Sequence, residues 1–167
     1  PGEILTQNKG YADAGDAEGG ILKMAVIERH KNTGHIGLGY LSGYGLKSGA
    51  VATSVAHDSH NIICVGANDA DMALAANRVA ENHGGIVVVK DGQVIAELQL
   101  EIAGLMTNQN LVDVNRQLEQ AKEAAYMLGI HKEIDPFMTL SFMSLPVIPT
   151  LRLTTKGVVD VFTQSYV

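Results

Sequence analysis

The chain has 167 residues, 46% of them hydrophobic, which suits one compact domain, or one domain with a short arm. Eighteen acidic and 12 basic residues give a net charge of -6, and the basic residues are scattered, which argues against a nucleic-acid partner. The single cysteine, Cys64, excludes an intrachain disulfide, and no apolar run approaches the roughly 20 residues that cross a bilayer. We therefore expect a soluble, cytoplasmic protein without a membrane partner.

The first segment, residues 1–20, is rich in Gly, Asp, Asn and Ala and lacks periodicity, which predicts an arm or interdomain linker. Residues 21–167 then form the domain itself. From Ile21, the apolar run ILKMAVIERH is typical of a strand, although its pattern does not exclude a short helix. The five glycines of the following GLGYLSGYGLKSG predict turns or close backbone approach, and their spacing matches neither a dinucleotide-binding fingerprint nor a P-loop.

Two β-rich runs follow, AVATSVA over residues 50–56 and NIICVGA over residues 61–67. Between them lies a short polar segment, so we predict two strands that flank a tight turn or bulge. Cys64 falls within the second run and has no cationic neighbour in sequence, and we expect it to be a core residue rather than a nucleophile.

Two helices and a hairpin are predicted in the middle of the chain. Asn68 is a suitable cap for the first helix, and Gly84 and Gly85 supply its end. The dipeptide Asp91–Gly92 joins two β-rich runs, which predicts a β-hairpin. A longer helix after Asn110 ends at Gly129. The apolar stripe predicted to pack this second helix on the sheet consists of Leu111, Val114, Leu118, Ala121, Ala125 and Leu128.

The tail from Asp135 contains three prolines, which predict short irregular pieces before a final strand near Val158 to Thr163. The strand runs are mixed with helices rather than alternating strictly with them. An α+β fold is therefore predicted, with a mixed or antiparallel sheet, at least one β-hairpin and two main packing helices.

The most informative segment is a run of five polar residues, His57, Asp58, Ser59, His60 and Asn61, which we call the polar turn. It interrupts two runs that are otherwise suited to burial, and polar groups in such a place need partners. The residues alone leave two interpretations equally open. The side chains reach a ligand, shuttle a proton or coordinate a metal, or else they form a structural turn that bonds the local backbone.

Spacing weakens the catalytic and metal-binding versions of this idea. His57 and His60 would point to opposite faces of an extended strand, and no third ligand lies nearby in sequence, so we predict no metal site in this chain. Ser59 lies between Asp58 and His60, but catalytic triads are assembled by folding rather than by adjacency. His30 is a possible further contributor, although an exposed charged strand end explains it more simply.

Two segments, GLKSGAVATSVAHDSHNIICVGAN and DPFMTLSFMSLPVIPTLRLTTKGVVDV, closely resemble the carboxy-terminal domain of adenine deaminase, in the amidohydrolase superfamily. The likeness extends from about Gly20 to Val161. It implies a parent enzyme that converts adenine and water to hypoxanthine and ammonia in purine salvage, with a manganese or iron pair in a separate barrel domain. Such barrels carry a His-x-His pair, which this chain lacks. We therefore expect no cofactor in this chain and no activity from it alone.

The resemblance places the polar turn facing the mouth of that barrel. His57, Asp58 and His60 become candidates for a supporting catalytic role, and Ser59 and Asn61 become candidates for substrate binding. The implied partners are the barrel domain of the same polypeptide, adenine, and further copies in a homo-oligomer. The alternatives are a non-catalytic oligomerisation or scaffolding domain and, third, an independent small-molecule binder.

Overall fold

A computed structural model describes residues 4–13 and 15–167 of the chain. Within these residues it contains three helices and nine strands. In chain order, the elements are β1 (Ile21–Ile27), β2 (Ile36–Ser42), β3 (Ala50–Thr53), β4 (Ile62–Gly66), α1 (Asp69–Glu81), β5 (Gly85–Lys90), β6 (Gln93–Gln99), α2 (Leu111–Met127), α3 (Pro136–Met143), β7 (Leu151–Thr154), β8 (Gly157–Asp160) and β9 (Ser165–Tyr166). The predicted α+β class is confirmed. No helix among the described residues is long and apolar enough to cross a membrane.

A six-stranded sheet in the order β2-β1-β4-β3-β5-β6 forms the centre of the molecule, and every neighbouring pair is antiparallel. Helix α1 packs on one face, over β3, β4 and β5. Helices α2 and α3 pack on the opposite face, together with a small antiparallel sheet, β7-β8-β9. Each face of the large sheet therefore has its own apolar core.

The predicted hairpin and the two predicted strands around the polar turn are present. Strands β5 and β6 pair through a turn at Asp91 and Gly92, both with positive φ, as a tight hairpin turn requires. Strands β3 and β4 also pair, on either side of the polar turn. Strand β3 is shorter than predicted and ends at Thr53. Its hydroxyl accepts a hydrogen bond from the Val55 amide, which turns the chain out of the sheet.

The two predicted helices occur where expected. Asn68 caps α1 and accepts a hydrogen bond from the amide of Asp71, and one face of α1, with Met72, Ala75, Ala76 and Val79, is buried. The predicted stripe of α2 is confirmed from Val114 onward, where it packs on β5 and β6. The prediction that Leu111 belongs to this packed stripe is wrong. This first residue of α2 is exposed rather than packed on the sheet.

The tail is more regular than predicted. Helix α3 starts at Pro136, because proline is tolerated in a first helical turn and the Asp135 carboxylate accepts hydrogen bonds from the next two amides. The hydroxyl of buried Tyr44 donates to the Pro136 carbonyl, which ties α3 to the chain after β2. A strand is present near the predicted final strand at residues 158–163, but it is shorter and is not the last one. Strand β8 ends at Asp160 and a turn separates it from β9.

Strand β2 is inverted relative to an ordinary amphipathic strand. Gly37 and Gly39 point to the interior, where they approach β7 and β8 closely; a side chain on Gly37 would overlap the Thr154 carbonyl oxygen. Its bulky residues point outward instead, and Ile36, Leu38 and Tyr40 are 55%, 58% and 42% exposed. The expected close backbone approach at the glycines is confirmed. The outward-pointing residues of β2 form an uncovered apolar strip on the α1 side of the sheet.

The arm contacts the tail near β7. The Thr6 hydroxyl donates to the Leu151 carbonyl at 2.9 Å and accepts from the Thr150 and Leu151 amides at 3.0 and 2.9 Å. The buried guanidinium of Arg152 donates to the carbonyls of Ile4 and Pro149. Residues 4–6 therefore pack on the tail, whereas a domain boundary near Gly20 stays a prediction.

Candidate functional site: the polar turn

The polar turn joins β3 to β4 at the end of the sheet where β1 ends and β2 begins. This position follows from the register, because Ile27 of β1 pairs with Ile62 of β4 and with Ile36 of β2. Asp58 and Ser59 are exposed, while His57, His60 and Asn61 are half-buried. The turn thus keeps polar side chains accessible at one edge of an otherwise apolar sheet.

The chain turns tightly within this segment, so the two imidazoles come together. The ring centroids of His57 and His60 lie 5.9 Å apart in an edge-on arrangement. His60 has a φ of 48°, in the left-handed region, and its amide donates to the Ala56 carbonyl at 2.6 Å. An extended strand would have placed these side chains on opposite faces. The turn makes it possible for both to contact one ligand.

Residues that follow β1 hold the polar turn by its backbone. Arg29 donates from Nε to the carbonyl of His60, and its amide donates to the Asn61 side-chain oxygen at 3.3 Å. The His30 ring nitrogen Nε2 lies 2.7 Å from the Ser59 carbonyl oxygen. The same Arg29 guanidinium donates to the carbonyl of Ala103 at 2.7 Å. The polar turn, the end of β1 and the loop after β6 therefore form one connected edge.

The loop that carries His30 is itself fixed by a carboxylate. Glu28 accepts hydrogen bonds from the amides of Lys31 and Thr33 at 2.8 and 3.0 Å, and from the His30 amide. The Thr33 amide, followed by those of His30 and Lys31, lowers the pKa of Glu28 to about 2 against an opposing effect of burial. Glu28 is therefore ionised at neutral pH, and it fixes the loop that places His30 beside the polar turn.

His60 is held as a neutral imidazole. Burial lowers its pKa from 6.5, and the neighbouring His57 and Arg29 lower it further. Its Nδ1 accepts a hydrogen bond from the Ala56 amide at 3.3 Å, which assigns the proton of the neutral ring to Nε2. Neutral His60 can therefore donate a hydrogen bond from Nε2 to an acceptor such as a purine ring nitrogen.

His57 is positioned by α3. Its ring lies 5.2 Å from that of Phe142, its amide donates to the Ser141 carbonyl at 3.1 Å, and its carbonyl accepts from the Ser144 hydroxyl at 3.4 Å. Among the described residues, neither ring nitrogen of His57 takes part in a hydrogen bond. The side chain is thus oriented by packing while its polar atoms stay available.

Sequence reasoning did not find Arg29, Phe142 or Ala103 as neighbours of the polar turn, and it preferred a simpler explanation for His30. Arg29 and His30 lie two and three residues after the apolar strand β1, which is a usable signal once β1 is paired with β4. The position of Ala103 beside the polar turn depends on a further contact. Ser54, buried below the turn, donates to the Gly104 carbonyl at 2.6 Å and fixes that loop.

No group of three or more His, Cys, Asp or Glu side chains that could hold a metal ion occurs within residues 4–13 and 15–167. The donor set near the polar turn therefore does not fit a manganese or iron pair. Cys64 is buried on β4, as predicted, and burial raises the pKa of its thiol to about 12. This thiol is not an activated nucleophile.

Comparison with known proteins assigns the chain to a family. The model of the adenine deaminase C-terminal domain matches residues 3–165. A protein named adenine deaminase from Desulfatibacillum aliphaticivorans is 50% identical over 99% of this chain, and one from Clostridium acetobutylicum is 52% identical over 85%. The chain spans only 29% and 25% of the length of these two relatives. The chain belongs to the adenine deaminase C-terminal domain family.

Proposed function

We propose that this chain is the carboxy-terminal part of an adenine deaminase, which converts adenine and water to hypoxanthine and ammonia, and that its polar turn supports the active site. The polypeptide outside this chain would supply the barrel domain and its metal pair. The residues described above do not fit such a pair. The proposed contribution of this chain is to bind and orient the purine and to exclude water from it. By itself the chain is expected to be inactive.

The observation that carries the proposal is the construction of the polar turn. Arg29 and Ser141 hold its backbone, yet the imidazoles of His57 and His60 remain partly accessible. A purely structural turn would use its side chains to satisfy nearby backbone; here the Nδ1 of His60 and the hydroxyl of Ser59 do so, and the side-chain oxygen of Asn61 accepts from the Arg29 amide, while the ring nitrogens of His57 make no hydrogen bond among the described residues. A rigid frame with free polar atoms suits a surface that covers a ligand.

Individual roles follow from the chemistry of each group. The neutral His60 ring donates from Nε2 to a purine nitrogen, and His57 relays a proton or orients the ring. Asp58 sets the charge at the rim of the turn, while Ser59 and Asn61 supply weaker polar contacts to the base. Covering the bound purine lowers the local dielectric constant, which strengthens each of these interactions.

The test is steady-state deamination of adenine by the full-length polypeptide carrying His57→Ala, His60→Ala or Asp58→Asn. We expect kcat/KM to fall about tenfold or more for at least one histidine variant, equivalent to about 1.4 kcal/mol of transition-state stabilisation. The matched control is His131→Ala, because the His131 amide bonds to the Tyr44 carbonyl at the opposite end of the sheet. Unchanged kcat and KM in all three folded variants would reject the proposal.

A second candidate function is an oligomerisation or scaffolding domain without contact with substrate. The exposed apolar residues of β2 favour it, because contiguous apolar surface marks interaction sites. This candidate predicts that substitutions in the polar turn leave kinetics unchanged, whereas substitutions on β2 alter the subunit count measured by analytical ultracentrifugation.

A further inference from the structure

The α1 side of the sheet is covered only in part. Helix α1 packs mainly over β3, β4 and β5 and reaches Ala25 of β1, whereas the large side chains of β2 stay exposed. There the side chains of Ile27, Ile36, Leu38 and Tyr40 form an apolar surface, which we call the β2 face. These residues lie on one side because Ile27 pairs with Ile36 and the outward positions of β2 alternate with its glycines.

Next to the β2 face is a groove of about 210 Å³ between the sheet and α1. Its lining is mostly apolar and includes Ala25, Leu38 and Ala76. Lys23 and Asp69 form an ion pair at 2.6 Å on its rim. The groove is open to solvent and mainly apolar, so an apolar side chain from another surface would be compatible with it.

The β2 face reaches the same end of the sheet as the polar turn. Ile27 is paired with Ile62, the first residue of β4 after the polar turn, and Arg29 follows two residues later along the chain. The β2 face and the polar turn therefore meet at one end of the sheet, although His57 packs against Phe142 on the side opposite the β2 face. A neighbouring domain that contacts this end of the sheet can reach both.

We infer that the β2 face docks on the preceding part of the same adenine-deaminase polypeptide, with an apolar side chain of that part inserted in the groove. The inference rests on the proposed function. The relatives carry most of their length outside the region that this chain matches, and the matching family model is that of a C-terminal domain. Most of such a polypeptide is therefore available as the occupant.

Size favours this occupant over a second copy of the chain. A stable interface between separate subunits buries about 1,200 to 2,000 Å² in total. The β2 face offers four apolar side chains and one small groove, bordered by the Lys23–Asp69 ion pair. A covalently linked domain needs far less contact, since linkage supplies an effective concentration of about a millimolar or more.

The test is photo-crosslinking in the full-length polypeptide with a photoreactive amino acid at position 38. The matched control is position 112 on α2, where Val112 is also exposed but lies on the other side of the sheet. Mixing isotopically light and heavy polypeptides separates crosslinks within one chain from those between copies. We expect position 38 to crosslink within the chain to residues that precede this domain, in at least fivefold higher yield than position 112.

Crosslinks between copies would overturn the inference, as would a yield at position 38 no greater than that at position 112. A second variant guards against an unfavourable probe geometry. With the photoreactive residue at position 36, Leu38→Lys should lower the intrachain yield at least fivefold and Val112→Lys should not; equal yields in the two variants would also overturn it. The crosslinking readout does not depend on turnover. The docking inference can therefore be confirmed when the kinetic test rejects the role of the polar turn, and it can be rejected when the kinetic test confirms that role.

Discussion

At the residue scale, Glu28 shows how one carboxylate fixes the candidate site. Because its pKa is lowered to about 2 in the folded chain, from 4.5, it stabilises the fold above pH 4.5, and this contribution disappears as the pH falls toward 2. Glu28→Gln should therefore lower the free energy of unfolding at pH 7. The difference from the parent chain should shrink between about pH 4.5 and pH 2 in urea titrations.

The control for this experiment is Glu133→Gln, since Glu133 is exposed and is not among the side chains that bond the loop. A Glu28→Gln deficit that stays constant from pH 7 to pH 2 would contradict the assigned role of the carboxylate. The hydrogen-bonded loop also positions His30, so the variant should weaken the contact between His30 and the polar turn.

Residue-level prediction from sequence succeeded where the signal was local. Five polar residues between apolar runs predict a turn, and His57 to Asn61 form one. The contributions of Arg29 and Phe142 were not predictable in the same way, because they depend on the pairing of β1 with β4 and on the packing of α3. Whether the predicted site residues act on substrate stays a prediction.

At the element scale, the interior glycines of β2 set the distance between the two sheets. Gly37→Ala places a methyl group against the Thr154 backbone, which cannot move aside without separating the sheets, and should cost about 3 kcal/mol. Gly39→Ala meets only the side-chain methyl groups of Leu153 and Val158, at 3.3 Å, and should cost less. Thermal unfolding of both variants measures the difference. Equal losses would show that the spacing is not set at Gly37.

The elements differed in how clearly the sequence encoded them. Asp91–Gly92 predicted its hairpin because only a few dipeptides favour two successive residues with positive φ. Helix α3 was missed because Pro136 was interpreted as a helix breaker, although an aspartate directly before a proline is a helix-start signal. Strand β7 was missed because its four residues form a strand only by pairing with β8.

At the scale of the whole molecule, the contact between arm and tail joins the two halves of the sequence. Thr6→Val keeps the shape of the side chain but removes the hydroxyl that bonds Thr150 and Leu151, and should cost about 1–3 kcal/mol locally. We expect trypsin to cleave faster after Lys9. The control Thr163→Val, at an exposed threonine, should leave that rate unchanged. An unaltered rate in Thr6→Val would contradict the proposed restraint.

The fold class could be predicted from the mixture of strand runs and helices in the sequence. Which side of the sheet each helix covers could not. Which face α1 covers depends on the strand order, and antiparallel pairing of β1 with β4 joins segments that are far apart in sequence. The uncovered β2 face therefore became visible only in the folded chain.

Burial of Cys64 under α1 has a practical consequence. As the sole thiol of this chain, buried and with a pKa raised to about 12, it should react with alkylating reagents at neutral pH mainly when the helix lifts from the sheet. The rate of its modification then reports transient opening of that layer, and a slower rate in the full-length polypeptide would register the restraint that a neighbouring domain imposes.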